Sequence, residues 1–171
     1  MPLITIRKAG EADVPTILGL IHALALFENA PEAVRATAED LRREGFGERP
    51  SFQCLLAEVD GRAAGMALWF HGFSTWTGRR SLFLEDLFVH AWARGLGVGE
   101  RLMRRLAGLA LEQGCARLDL AVLDWNPARG FYERLGFQPR AAWQPYRLDG
   151  DALRRLAAGE PVLSSPPEGG G

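Results

Sequence analysis

RGLGVGERLMRRLAGLAL, residues Arg94 to Leu111, sets glycines at 95, 97 and 99 and runs from them into a helical pattern. Glycine costs backbone entropy, so three at alternate positions mark a main chain that turns tightly or lies close to something else. Leu102, Met103, Leu106, Leu109 and Ala110 form one apolar stripe, with Glu100, Arg101, Arg104 and Arg105 facing the other way. Upstream lies the apolar LFLEDLFV (82–89) and downstream ARLDLAVLDW (116–125), both strand-like. Strand, turn, helix, strand reads as α/β. The start of such a helix presents unbonded N–H groups and the positive end of the dipole, which suits an anion and above all a phosphate.

Two other readings of the turn stand beside that one. The dinucleotide fingerprint G-x-G-x-x-G differs in spacing from G-x-G-x-G, although Asp119 supplies an acidic residue about twenty positions on. A glycine turn whose helix start is covered binds nothing. A phosphate loop ending in Gly-Lys-Ser/Thr is excluded, because Lys8 is the only lysine, and an internal Schiff-base lysine is disfavoured for the same reason.

The 171 residues suffice for one domain with its own core. A net charge of -1 gives no reason to seek a polyanion, so nucleic acid is not an expected partner. The apolar runs are far too short for a membrane span. MPLITIRKAGEAD lacks a basic segment followed by an apolar run, so the expected location is cytoplasmic. Cys54 and Cys115 lie apart in apolar contexts and read as reduced core thiols. His22, His71 and His90 show no helical pairing and no nearby cysteine, so no metal site is expected.

LITIRKAG alternates as a strand, and Ile17, Leu20, Ile21, Leu24 and Phe27 then recur at helical spacing. TAEDLRREGF is a second helix with Thr37 as N-cap, Asp40 at the third position and Gly45 as its stop. SFQCLLAEVDGRAAGMALWFHGF gives two strands joined at Asp60-Gly61. NPARGFYERLG is a short helix capped by Asn126 with Pro127 at its first position, ending at Gly136, and AWQPYRLDG is a last strand. From Gly159 the chain is rich in Pro, Gly and Ser and reads as a disordered tail. The expectation is a single α/β domain over residues 1–158 with a mixed sheet, and a tail over 159–171.

Strict alternation places Phe83, Glu85, Leu87 and Val89 on one face of their strand and Leu84, Asp86 and Phe88 on the other. Both faces are largely apolar, so the strand reads as central and buried on both sides, where two carboxylates are costly unless paired or used. Being adjacent, they face opposite ways and do not form a two-carboxylate pair in one cleft. Burial raises a carboxyl's pKa, which suits a general base; a bond to an arginine is the alternative. In DWNPARGFYERLGF, Ala128, Phe131 and Leu135 form the core stripe. Tyr132 flanks it, as a packing residue or with its hydroxyl in a cleft.

R-x-x-G-x-G at Arg94–Gly99, between LEDLFV and a helix and followed by DWN and FYERLGF, resembles the GNAT superfamily of acyl-CoA-dependent N-acetyltransferases. IRKAGEAD, LALFE, EDLRREGFGERP, CLLAEV, FSTWTGRRSLFLEDLFV, GCARLDLAVLDWN and FYERLGF resemble, in order, segments of the diamine acetyltransferases, with LAVLDWN and STWTGR nearer the thialysine branch than the spermidine/spermine branch. The resemblance covers about residues 3–157 and implies a splayed central sheet flanked by helices.

It further implies that main-chain N–H groups of Arg94, Gly95, Leu96, Gly97, Val98 and Gly99 cradle the pyrophosphate of acetyl-CoA. Leu87, Phe88 and Val89 would pair with the pantetheine arm, with Asn126, Tyr132 and Arg134 also on the cofactor. Tyr132 would protonate the departing thiolate, and Glu85 would take the amine's proton. Glu28, Phe27, Trp76, Glu85 and Asp86 would bind a small cationic amine, and no metal is implied. Phe27 stands where the spermidine/spermine enzymes carry tyrosine, which leaves it as channel lining or helix core. Family members are typically homodimers. An amine with a lysine-like pKa near 10.4 arrives protonated, so a carboxylate must accept its proton. The thioester oxygen needs an N–H donor as charge develops, and an unpaired amide at a strand bulge near Phe88 is the expected source. Acetylation of a protein lysine or N-terminus, and CoA binding without chemistry, are the rival functions.

Overall fold

The computed structural model describes residues 1–160; residues 161–171, most of the expected tail, lie outside the described residues. The chain divides into two compact units, Met1–Phe131 and the part from Tyr132 onward.

The first unit is built on a five-stranded sheet in the order of its sequence, β1 (Ile4–Lys8), β2 (Gln53–Val59), β3 (Arg62–Ser74), β4 (Arg79–Val89) and β5 (Arg117–Leu120). β1 to β4 pair antiparallel and β5 joins β4 parallel, so the sheet is mixed, as expected. The turn at Asp60-Gly61 has positive φ at both residues, 50° and 78°, the conformation that matches strand twist in a two-residue hairpin.

One face of the sheet carries α1 (Val14–Phe27) and α2 (Ala38–Phe46). Val14, Ile17 and Leu20 pack with Leu41 against Cys54, Leu56, Met66, Leu68 and Phe88. Thr37 caps α2 as expected: its hydroxyl accepts from Asp40 N at 3.2 Å while the Asp40 carboxylate accepts from Thr37 N at 2.9 Å. Gly45 does not stop α2, which runs to Phe46 with Gly47 as C-cap; a single glycine costs a helix only about 1 kcal/mol.

The other face carries α3 (Val98–Glu112), whose stripe of Leu102, Met103, Leu106 and Ala110 is buried. Each of its large side chains contributes roughly 1.5–3 kcal/mol by leaving water. Cys54 and Cys115 are free thiols, both buried.

β5 is shorter than the expected strand and is registered on β4 only from Ser81↔Arg117 to Leu84↔Leu120. The chain from Ala121 to Trp125 leaves the sheet, so past Leu84 the two strands part. α4 (Ala128–Arg134) straddles the division between units.

In the second unit, α4 ends in a glycine turn. Gly136 has φ 94°, and Phe137 N donates to Tyr132 O at 3.1 Å. AWQPYRLDG is not a strand; among the described residues it has no ladder partner. A helix that the sequence reading missed, α5 (Gly150–Ala157), follows it. Among the described residues, no helix is long and apolar enough to cross a membrane.

Candidate active site

The turn before α3 is exposed from Arg94 to Gly97, and Gly95 and Gly97 have φ of 78° and 80°, a region costly for residues with a Cβ. A Cβ on either glycine would meet nothing within 4 Å, so the space above them is open. Among the described residues no side chain caps α3, and Arg101 N is the first N–H past the turn to find a main-chain acceptor, on Gly97 O at 3.1 Å. Gly95 to Glu100 thus offer unclaimed donors at a helix N-terminus. The cradle begins one residue later than expected, because Arg94 N already donates to Ala91 O at 3.3 Å. Gly99 serves packing instead: a Cβ there would lie 3.4 Å from the Phe131 ring.

A bulge decides where the β4 carboxylates sit. Leu84 faces Trp69 and Asp86 faces Leu68, leaving Glu85 as the extra residue. One extra residue shifts the alternation, so beyond it Asp86 and Phe88 share a face with Leu68 and Met66, the α1 face, while Phe83 is the matching residue before it. Glu85 and Asp86 are therefore not held to opposite faces, which corrects the alternation argument. The bulge sits three residues earlier than its expected place near Phe88. Glu85 is exposed, against the expectation of burial, whereas Asp86 is half-buried. Burial first, then the charges of Glu85 and Glu28, push the Asp86 carboxyl up to about 6. Among the described residues, none of the three pairs with an arginine in an ion pair.

Glu28 is the C-cap of α1, half-buried, followed by Asn29 in the left-handed conformation at φ 57°. An acid at a helix C-terminus sits against the negative end of the dipole, so Glu28 and the carbonyls around it reinforce one another as an attraction for cations. Leu87 and Val89 are half-buried and Phe88 buried, along the part of β4 that β5 has left.

Phe27 packs against the α1 core, but its ring also faces two partners: Trp125, at 6.3 Å between centroids, and the Arg94 guanidinium, 4.8 Å from its centroid. A cation of the chain itself already covers one face of the proposed channel ring. Trp76 is 88% exposed in the turn between β3 and β4. The seven residue steps from Arg79 to Asp86 span roughly 20 Å of strand, so Trp76 is not brought to the carboxylates of its own chain. Asn126 is buried, and its side-chain oxygen accepts from Ala128 N at 2.9 Å, the capping role read from the sequence. Tyr132 is buried in the second unit with Phe137 edge-on at 5.7 Å, and Arg134 ends α4, exposed. Trp125, half-exposed in the quoted LDWN, is the neighbour of Phe27 that no sequence signal singles out.

Residues 21–137 match the model of the acetyltransferase (GNAT) family. The chain is 39% identical over 169 residues to a thialysine N-epsilon-acetyltransferase of Bos taurus, covering 92% of this chain and 99% of the relative. It is 34% identical over 168 residues to the spermidine/spermine N(1)-acetyltransferase-like protein 1 of Homo sapiens, covering 92% of this chain and 24% of that longer protein. Among solved structures, an integron cassette protein from the mobile metagenome of V. cholerae superposes with a TM-score of 0.76 at 27% identity, covering 90% of this chain and 97% of its own.

Proposed function

The chain belongs to the acetyltransferase (GNAT) family, and from that membership we propose that it moves an acetyl group from acetyl-CoA to the primary amine of a small cationic acceptor, a thialysine- or lysine-like amine or a diamine. The observation that carries the acceptor class is the grouping of Asp86, Glu85 and Glu28, in which two charges and burial raise the third carboxyl. Three acids attract an ammonium ion, and a carboxyl near 6 gives up its own proton at neutral pH and is basic enough to take another.

Acetyl-CoA, when bound, supplies a thioester carbonyl and a thiolate leaving group. The open glycine turn fits its pyrophosphate: Gly95, Leu96, Gly97, Val98 and Gly99 direct N–H groups at an anion, with no Cβ filling the approach at Gly95 and Gly97. Leu87 to Val89 would hold the pantetheine arm, on the part of β4 that β5 has left. The acceptor's ammonium passes its proton to the Asp86–Glu85 pair. With the thioester bound, the freed amine would replace the sulfur at the carbonyl carbon; Tyr132 Oη would donate the proton that the departing sulfur takes up, and the nitrogen's second proton would pass to water and restore the phenol. Asn126 and Arg134 complete the assignment on the cofactor side.

Gly97→Val tests the turn. It places a β-branched residue at φ 80° and fills the open space, so affinity for CoA drops roughly tenfold or more, the loss of a charge-assisted hydrogen bond. Gly114→Val, at φ 70° and equally open beyond the other end of α3, carries the same strain and leaves CoA affinity unchanged by calorimetry. An equal loss in both variants makes the effect one of folding.

Trp76 we assign to the site of a second copy in a homodimer, since it stands exposed with Phe73 on a hairpin end remote from its own carboxylates. The whole reading is tested by titrating acetyl-CoA, weighing the assembly by sedimentation, and following thiol release over diamines, amino acids and lysine peptides. Release with small amines is expected. Binding without release from any acceptor would make the chain a CoA-binding regulatory protein, and release with peptides alone would make it a protein acetyltransferase. Reduced Cys54 and Cys115 accord with a cytoplasmic enzyme.

A further inference from the structure

Asp86 sits opposite Leu68 on the α1 face of the sheet. Trp69, the next residue of β3, therefore belongs to the α3 face, and so do Gln53 directly opposite it and the cross-strand pair of Leu55 and Lys8. α3 does not cover this surface fully. Between the helix and the first three strands is a partly open cavity of about 230 Å³, and Trp69 lines it. Trp69 is only 1% exposed, yet its indole N–H has no hydrogen-bond partner among the described residues. A buried donor left so costs about 1–3 kcal/mol, and native interiors bond nearly all of theirs to protein, water or ligand.

The other polar groups around the cavity are rich in donors too. Lys8, the chain's only lysine, takes part in no ion pair among the described residues. Arg105 commits one Nη to Glu112 at 2.9 Å. The side-chain oxygen of Gln113 is taken by the His71 ring at 2.5 Å, which leaves its amide N–H groups for other partners. Arg7 is already neutralised by Asp13 and Glu58, at 2.7 and 2.8 Å. Among the described residues no carboxylate lines the cavity, and Ile6, Leu55 and Leu109 make the rest of it apolar. Positive charge without a counter-charge, beside apolar walls, selects an anion with an apolar body, a carboxylate over a phosphate. Volume sets its size: drug-sized ligands occupy roughly 300–1,000 Å³, while about 150 Å³ suffices for benzene. A second cavity of about 280 Å³, beside Pro50 and Ser51, shares Gln53 and Trp69 but carries no lysine or arginine, so charge singles out the first.

We propose that the cavity between α3 and the first three strands is a binding site for a small organic carboxylate with a body of about one ring. Lys8 and the Trp69 N–H meet the carboxylate, and Ile6, Leu55 and Leu109 enclose the body. The site lies across the sheet from Asp86 and is separate from the acetyl-transfer chemistry.

The probe is benzoate, with benzyl alcohol, benzylamine and inorganic phosphate as controls, titrated into the whole chain carrying carbon-13 lysine and nitrogen-15 tryptophan. A single lysine gives a single ε-carbon signal, and Trp69→Phe identifies the Trp69 indole among the five. Benzoate is expected to shift both signals saturably, with one site per chain. Lys8→Met, at an exposed strand position, weakens it roughly tenfold, the loss of a charge-assisted hydrogen bond. Benzyl alcohol or benzylamine binding as tightly as benzoate would overturn the anion, and phosphate binding as tightly would overturn the apolar body. Signals that never move, or a Lys8→Met chain that binds like wild type, would remove the site. Should Trp69→Phe fail to fold, the lysine signal and Lys8→Met still decide. The titration is repeated with saturating CoA, which is expected to leave benzoate affinity unchanged; full competition would move benzoate to the glycine turn and overturn the proposal. A chain that binds no CoA would sink the acetyl-transfer reading and leave the benzoate result standing.

Discussion

Asp86→Asn is expected to lower kcat/KM for the amine by about 10²–10⁴ at neutral pH, the range typical of a removed general base. The wild-type profile rises as pH passes through about 6, where the Asp86 carboxyl loses its proton, and asparagine flattens that limb. Stability moves the other way. Burial and the charges of Glu85 and Glu28 disfavour ionised Asp86 in the folded chain, so its pKa lies above the ordinary value near 3.9. Below pH 4 the group is protonated in both states and nothing is lost. As pH rises towards 6 the unfolded chain ionises first, and above 6 the full cost is present, on the order of 3 kcal/mol. The asparagine variant therefore gains in urea midpoint at pH 8 and not at pH 4. A variant that loses activity while gaining stability separates catalytic loss from misfolding. Glu85→Gln is the comparison: exposed on the bulge, Glu85 adds charge to the site, and its removal lowers the Asp86 limb towards the ordinary carboxylate range instead of abolishing it. If glutamine at 85 flattens the profile and asparagine at 86 does not, the base is Glu85.

The first strands, the long helices and the open glycine turn were legible because their signals are local: period two, period 3.6, a threonine cap, an Asp-Gly turn, closely spaced glycines. The bulge at Glu85 was not, since an extra residue in a strand is defined by its partner, and nothing in LFLEDLFV marks which residue lacks one. The error was small in space but reversed the meaning of two residues. Period-two counting separated Glu85 from Asp86 and buried both, whereas the register makes Glu85 the exposed neighbour and leaves Asp86 half-buried with its carboxyl pushed up. Phe27 shows the same limit. Helical spacing placed it at the core, correctly, but the guanidinium over its ring comes from a residue 67 positions away, read from 94 minus 27. The segment AWQPYRLDG has strand-like composition without a ladder, because β propensity is satisfied only by a neighbouring strand.

Tyr132→Phe is expected to cut kcat to roughly a hundredth, near the lower end of the general-acid range, and chemistry sets that size. A thiol with a pKa near 8.5 is a tolerable leaving group as its anion, while an ordinary phenol near 10 is the weaker acid of the two. The proton transfer assists C–S cleavage without being indispensable to it. The substitution removes one oxygen and keeps the ring, so the edge-on contact with Phe137 and the main-chain bonds from Leu135 and Phe137 to Tyr132 O persist. Affinity for CoA by calorimetry stays within a few-fold. The decisive measurement varies the donor. With acetyl thioesters of progressively more acidic thiols, the sulfur needs less help, and the gap between tyrosine and phenylalanine narrows as the leaving-group pKa falls. A gap that stays constant across that series would mean that the hydroxyl positions the donor and that some other group, or water, delivers the proton.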